Sequence, residues 1–185
     1  MAGPVLVTGA TGTQGGAVAP GVRTALVPPH RETQGGFAAL DVRTNLTVSA
    51  LRRWRRFGLV DRAAERRDCA RLVDELEVHP ADVDVEFGLL SGGNKQKVVF
   101  GRALLREADV YVLCEPTRGV DVAAREEIYD LVRRLPDERT GVLVITSDAE
   151  DLLALCDRLA TVTDGTVSGF RPVAGLSDEQ LEAVL

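Results

Sequence analysis

Short apolar runs alternate with longer charged segments in which leucines recur at helical spacing, and this alternation continues along most of the chain. Val110 to Leu113 and Val142 to Ile145 are unbroken apolar blocks of strand length, the pattern of strands covered on both faces. Pro4 to Thr8 and Thr24 to Val27 are shorter blocks of the same kind. The first runs into a glycine-rich turn from Gly9 to Gly16, and the second stops at Pro28-Pro29. From Asn45 to Glu77 the spacing predicts charged helix, followed by a loop from His79 to Glu86. Ser91 is placed to cap a helix reaching about Arg106, and Asp121 to cap one from Val122 to Leu135. Ser147 with Glu150 reads as a capping box before a short helix, and Ser177 with Gln180 as another before a terminal amphipathic helix. Leu159 to Thr163 and Thr166 to Ser168 flank Asp164-Gly165, a hairpin signal. Strands alternating with helices at this spacing predict an α/β fold with a largely parallel sheet.

Composition narrows the function classes. The 185 residues carry a net charge of −6, which argues against a nucleic-acid partner. Arg52, Arg53, Arg55 and Arg56 form one local basic cluster, expected to be a solvated helix face. No apolar run approaches the roughly 20 residues needed to span a bilayer, so no direct membrane insertion is expected. Three scattered cysteines without metal-type spacing, and no basic stretch ahead of an apolar one at the N-terminus, predict reduced thiols in the cytoplasm and no metal bound by protein ligands alone.

The strongest chemical signal is Leu90-Ser91-Gly92-Gly93-Asn94-Lys95-Gln96. A serine hydroxyl and two glycines at a helix N-terminus present orphan N–H groups and partial positive charge, a combination suited to phosphate. Glu115 follows 24 residues later, at the end of the strand Val110 to Leu113. A carboxylate at the C-terminal tip of a buried strand sits where α/β proteins place chemistry. Pro116-Thr117-Arg118-Gly119-Val120-Asp121 comes next, then a helix, a strand and the polar turn at Ser147.

LSGGNKQKVVFGRALL, the strand ending in CEPTRGVD, and VLVITSDAEDLLALCDRLATVTDGTV together resemble ATP-binding-cassette (ABC) ATPases. More narrowly, NKQK after the glycines and TRGVD after the carboxylate are similar to the second cassette of tandem sugar-importer ATPases of the ribose, xylose and galactose type. The resemblance implies a partial P-loop NTPase-like domain over residues 21–185 with a helical subdomain at about 42–106, preceded by a strand-turn segment at 1–20. It also implies ATP and Mg²⁺ as cofactors, bound weakly or shared with another cassette. The implied partners are a second ABC cassette and a membrane permease, with the chain on the inner face of the cell membrane. Ser91, Gly92, Gly93 and Gln96 would face a nucleotide held by the partner. Glu115 matches the carboxylate that orients water, Asp121 the aspartate of the interface loop, and Ser147 the switch position, where histidine is common in the wider family.

Three departures lead to the expectation of a chain inactive by itself. Cys114 stands where the family carries the aspartate that helps hold Mg²⁺, and a thiol is a poor ligand for a hard cation. Pro29 takes the place of a polar residue that links nucleotide to permease. A phosphate loop of the form G-x-x-x-x-G-K-[ST] is missing, because the only lysines are Lys95 and Lys97.

At the N-terminus stands Val5-Leu-Val-Thr-Gly9-Ala-Thr-Gly12-Thr-Gln-Gly15-Gly16, similar to the dinucleotide-binding start of NmrA-like dehydrogenase folds. Pro20-Gly21 interrupts the helix such a fold requires. The segment therefore has three readings: an NAD(P)-binding start, a strand completing the edge of the cassette sheet, or foreign sequence in a non-functional gene remnant.

Overall fold

The computed structural model describes residues 5–8, 22–135, 140–176 and 180–181. They form two compact units, one from residues up to Pro29, Ala108–Arg118 and Glu126 onward, the other from His30–Glu107 and Gly119–Arg125.

The first unit is built on a sheet. Its strands are β1 (Val5–Thr8), β2 (Thr24–Val27), and, beyond the second unit's β3 (Arg55–Arg56) and β4 (Leu59–Val60), β5 (Val110–Cys114), β6 (Gly141–Ile145), β7 (Arg158–Thr163), β8 (Thr166–Val167) and β9 (Arg171–Pro172). The order is β2-β5-β6-β1-β7-β8, with β9 also pairing β7. From β2 to β7 every pairing is parallel, while β8 and β9 join antiparallel. β1 therefore lies inside the sheet, between β6 and β7. This corrects the edge-strand expectation: register with two strands more than 130 residues away places β1, which no local pattern reveals. Tyr111 and Leu113 of β5 and Val142 and Val144 of β6 are buried in alternation, the two-residue period of a pleated strand. The β7–β8 hairpin turns on Asp164 and Gly165, both at positive φ, as the Asp-Gly pair predicts.

The second unit is mostly helical: α1 (Val42–Thr47), α2 (Arg62–Glu75) and α3 (Gly92–Leu104) pack on one another, with a 3₁₀ turn at Leu51–Trp54. Its core holds Val42, Leu46, Cys69, Val73, Phe87, Val98 and Phe100. Buried Asn45 ties the loop ahead of α1 together: its amide nitrogen donates to the carbonyls of Phe37, Leu40 and Asp41, and its oxygen accepts from Phe37 N. Arg102 of α3 donates to the Asn45 carbonyl at 2.6 Å. Buried Glu65 accepts from Thr47 Oγ1 at 2.7 Å and from Arg62 at 2.9 Å, so its charge is matched. The helix expected over Asn45–Glu77 is in fact α1, a 3₁₀ turn, the β3–β4 hairpin and α2. Phe57 and Gly58, both at positive φ, close that hairpin and end the helical spacing. The arginine cluster accordingly does not line one helix face: Arg52 and Arg53 lie in the 3₁₀ turn, and Arg55 and Arg56 in β3 of the hairpin.

α4 (Val122–Arg133) follows Asp121, whose Oδ1 accepts from Ala124 N at 2.9 Å. α5 (Ala149–Leu155) is capped by Asp148, whose side chain accepts from Glu150 N. The capping box expected at Ser147 does not form. Of the terminal helix only Gln180 and Leu181 are described, and Ser177 lies outside the described residues. No helix among the described residues is long and apolar enough to cross a membrane.

Candidate functional site

Two groups of side chains carry candidate chemistry, one in each unit. In the sheet unit, β5 and β6 end side by side, with Cys114 level with Ile145. Glu115 continues the ladder by donating its N–H to the Ile145 carbonyl at 2.7 Å. Its backbone then turns into the left-handed region, φ +48°, which swings the carboxylate across the strand ends. Oε1 accepts from Ser147 Oγ at 3.0 Å and from Ser147 N at 3.2 Å. Glu115 and Ser147 thus form one hydrogen-bonded pair at the carboxyl end of the sheet.

Beneath this pair lies a buried cluster absent from the sequence reading. Asp151 of α5 is 1% exposed. It accepts from Thr117 Oγ1 at 2.6 Å, Tyr129 OH at 2.9 Å and Thr146 Oγ1 at 2.8 Å. Thr146 Oγ1 in turn accepts from Asp148 N at 3.0 Å. Burial pushes the Asp151 carboxyl above the usual carboxylate range, against the downward pull of the three hydroxyls. Thr117 is two residues past Glu115, and Thr146 is one before Ser147. The two loops that meet at the pair are therefore tied to a single carboxylate. Thr117, Thr146 and Asp151 all lie in segments that carry the family resemblance, but nothing in the spacing joins them into one cluster.

Cys114 does not complete a magnesium site. Burial, and then the neighbouring Glu115 charge, push its thiol upward, so at neutral pH the ligand offered is an uncharged sulfur. Mg²⁺ requires hard oxygen donors, and at this strand end Glu115 is the acidic side chain beside that thiol.

In the helical unit, Ser91 caps α3 and is exposed. Its Oγ accepts from Asn94 Nδ2 at 2.8 Å and, more weakly, from Asn94 N at 3.4 Å. Asn94 Oδ1 accepts from His79 N, which fixes the incoming loop. Arg31 lies across Gly92: a Cβ added there would meet Nη2 at 2.7 Å, and this Nη2 donates to the Gly119 carbonyl at 2.8 Å. A Cβ on Gly93 would meet Ala124 Cβ at 2.7 Å. Packing thus demands glycine at 93, whereas at 92 the neighbour is the end of a flexible arginine side chain. Gln96 is buried one turn into α3, and Lys97 Nζ donates to the Glu77 carbonyl at 2.8 Å. Ser91, Gly92, Gly93 and Asp121 therefore share one unit, while Glu115 and Ser147 share the other. The arginine contact to Gly119 was not anticipated from sequence.

No family model matches the chain. Among curated proteins it is 38% identical over 170 residues to the ribose import ATP-binding protein RbsA 1 of Mesorhizobium japonicum, covering 90% of this chain and 33% of that protein. It is 39% identical over 149 residues to the arabinose import ATP-binding protein AraG of Chromohalobacter salexigens, covering 80% of this chain and 30% of that protein. The chain thus spans about a third of the length of the curated relatives it matches. Among solved structures, the ATP-binding cassette MJ0796, a dimer bound to ADP and Pi in a post-hydrolysis state, superposes with a TM-score of 0.69 at 21% identity, over 84% of this chain and 65% of that one. Over most of its length this chain is a homologue of sugar-import ATP-binding proteins, and its fold is that of an ABC ATPase domain.

Proposed function

We propose that this chain is an ATP-binding component of a sugar importer that presents Ser91, Gly92 and Gly93 to a nucleotide held by a partner cassette. Residues 21–185 act as a partial cassette with its helical subdomain at about 42–106, at the inner face of the membrane beside a permease. The observation that carries this reading is the start of α3, where the capping residue Ser91 is exposed and is followed directly by Gly92, partly exposed, and Gly93. A helix end alone holds an anion by only about 0.3–2 kcal/mol. It therefore matters when the rest of the ATP is anchored elsewhere. Within these 185 residues no lysine is placed to grip the β- and γ-phosphates, and Cys114 does not suit Mg²⁺. Both support a donating role over hydrolysis by the chain itself. Glu115, paired with Ser147, would then orient water only in its own site.

The test is ATP turnover by the chain mixed with a sugar-importer cassette. Ser91→Arg abolishes the stimulation, while Glu115→Gln changes it little; circular dichroism checks that both variants fold. Equal loss in the two variants, or no stimulation by the unmutated chain, overturns the reading.

A further inference from the structure

The β3–β4 hairpin and the turn leading into it present an unusual surface. Arg52, Arg53, Arg55 and Arg56 fall within five residues, and no acidic residue occurs from Leu51 to Val60, in a chain whose net charge is −6. Arg53 is neutralised by Glu107 at 2.5 Å. Arg52, Arg55 and Arg56 are exposed, and among the described residues no side chain pairs with them. At the tip Phe57 is fully exposed, and Leu59 is 77% exposed. Phe57 also adopts φ +50°, a left-handed conformation that asparagine, aspartate or glycine takes readily and an aromatic residue does not. An aromatic ring placed at once in strained backbone and in open water gains nothing for the fold of this unit.

The base of the hairpin is fixed firmly. Trp54 is buried, its Nε1 donates to Asp68 Oδ2 at 2.8 Å, and its carbonyl accepts from Asp61 N at 2.8 Å. That hydrogen bond, with burial opposing it and Arg71 helping, holds the Asp68 carboxyl below the usual range. The hairpin therefore combines a fixed base with exposed Phe57 and Leu59 and with three exposed arginines, Arg52, Arg55 and Arg56, that no described side chain pairs.

We propose that this hairpin docks on the anionic headgroups of a lipid bilayer. Guanidinium forks match phosphate oxygens in bidentate geometry, and a convex tip with one aromatic and one aliphatic side chain suits the soft boundary between headgroup and acyl chain. An acidic protein segment would satisfy the charges, but a fully projecting ring would need a preformed socket to receive it. The proposal is independent of the signature reading, because it uses neither α3 nor any nucleotide.

The experiment is vesicle flotation of the full chain with phosphatidylglycerol-containing and with pure phosphatidylcholine vesicles, at low and physiological salt. Partitioning is expected to be at least about tenfold stronger on the anionic vesicles and to weaken with salt, since each basic group near such a surface contributes about fivefold. Arg55→Glu with Arg56→Glu abolishes it. Phe57→Gly keeps the charges and relieves the left-handed strain, so it weakens binding while leaving the melting temperature unchanged or raising it. Equal partitioning on both vesicle types, binding that survives the double charge reversal, or binding to poly-glutamate but not to vesicles overturns the proposal.

Discussion

Removing the Asp151 carboxylate tests whether the buried cluster holds the ends of β5 and β6 in place. In Asp151→Ala three hydroxyls lose their acceptor: Thr117, Tyr129 and Thr146, at 2.6, 2.9 and 2.8 Å. Each stranded donor costs about 1–3 kcal/mol, while relief from burying a charge returns several kcal/mol. The net loss expected is about 2–4 kcal/mol. Asp151→Asn differs in kind. Its oxygen still accepts from Thr117 and Tyr129, but its amide nitrogen now faces Thr146, whose hydroxyl proton is left without an acceptor. One bond is lost and one buried charge removed, so at neutral pH the variant should lie within about 1 kcal/mol of the parent. Acidity separates the two contributions. The folded carboxyl titrates above the ordinary value of 3.8, so its stabilising share is fully present below that value and is lost as pH rises through the folded one. The parent's advantage over Asp151→Asn must therefore shrink between about pH 4 and neutrality. Asp41, Asp68 and Asp109 are shifted downward and give the opposite slope, but they are common to both proteins and cancel in the difference. Urea unfolding of all three proteins at several pH values supplies the measurement. An advantage that grows with pH, or an Asp151→Ala cost below about 1 kcal/mol, refutes the reasoning.

Other outcomes follow from single contacts. Gly36→Ala puts a Cβ at 2.2 Å from the Phe87 ring, in the core of the helical unit, and should lower stability by about 1–3 kcal/mol in thermal unfolding. Asp41 caps α1 by accepting from Thr44 N at 2.6 Å, so Asp41→Ala should cost about 1 kcal/mol by the same assay, with Asp41→Ser recovering most of it. Burial pushes Cys69 and Cys156 up to about 12 and moves Cys114 in the same direction. A disulfide reagent at neutral pH should therefore label the native chain slowly and the urea-unfolded chain at all three thiols. Calorimetry on the chain alone should detect no low-micromolar Mg·ATP affinity, since the two lysines, Lys95 and Lys97, lie in α3 and Cys114 offers an uncharged sulfur where Mg²⁺ takes oxygen.

Elements set by local chemistry were legible in the sequence, and those set by distant partners were not. Ser91, Asp121 and Asp164-Gly165 act within one turn of themselves, and each sits at the helix start or hairpin tip its type predicts. β2 likewise begins and ends as its apolar block and the two prolines require. Ser147 failed because two acceptors competed for one role. Asp148, one residue later, is the stronger cap and takes Glu150 N, which frees the serine hydroxyl to donate to Glu115. The helical pattern over residues 45–77 failed because leucine spacing carries no record of backbone sign. Phe57-Gly58 closes a two-residue hairpin only by entering positive φ, a conformation that a phenylalanine does not advertise.

β1 shows the same limit at the level of topology. Its glycine-rich sequel is similar to a dinucleotide-binding start and could equally follow any parallel strand that ends at a phosphate, so the motif is silent on the sheet it joins. Position is decided by pairing with β6 and β7, which the chain reaches only after β2, the whole helical unit and β5. Once there, β1 is flanked on one side by the strand that leads to Ser147. The crossover through α5 then spans β1 to reach β7, and α5 is the helix that carries Asp151. The buried carboxylate thus sits on the one connection that passes over the inserted strand. From there it reaches back to Thr146 at the end of β6 and to Thr117 beyond β5. A residue 34 positions from one partner and 5 from another can act as a tie only in the folded sheet. Spacing therefore exposed the pair Glu115 and Ser147 as separate polar ends, and topology alone makes them one site.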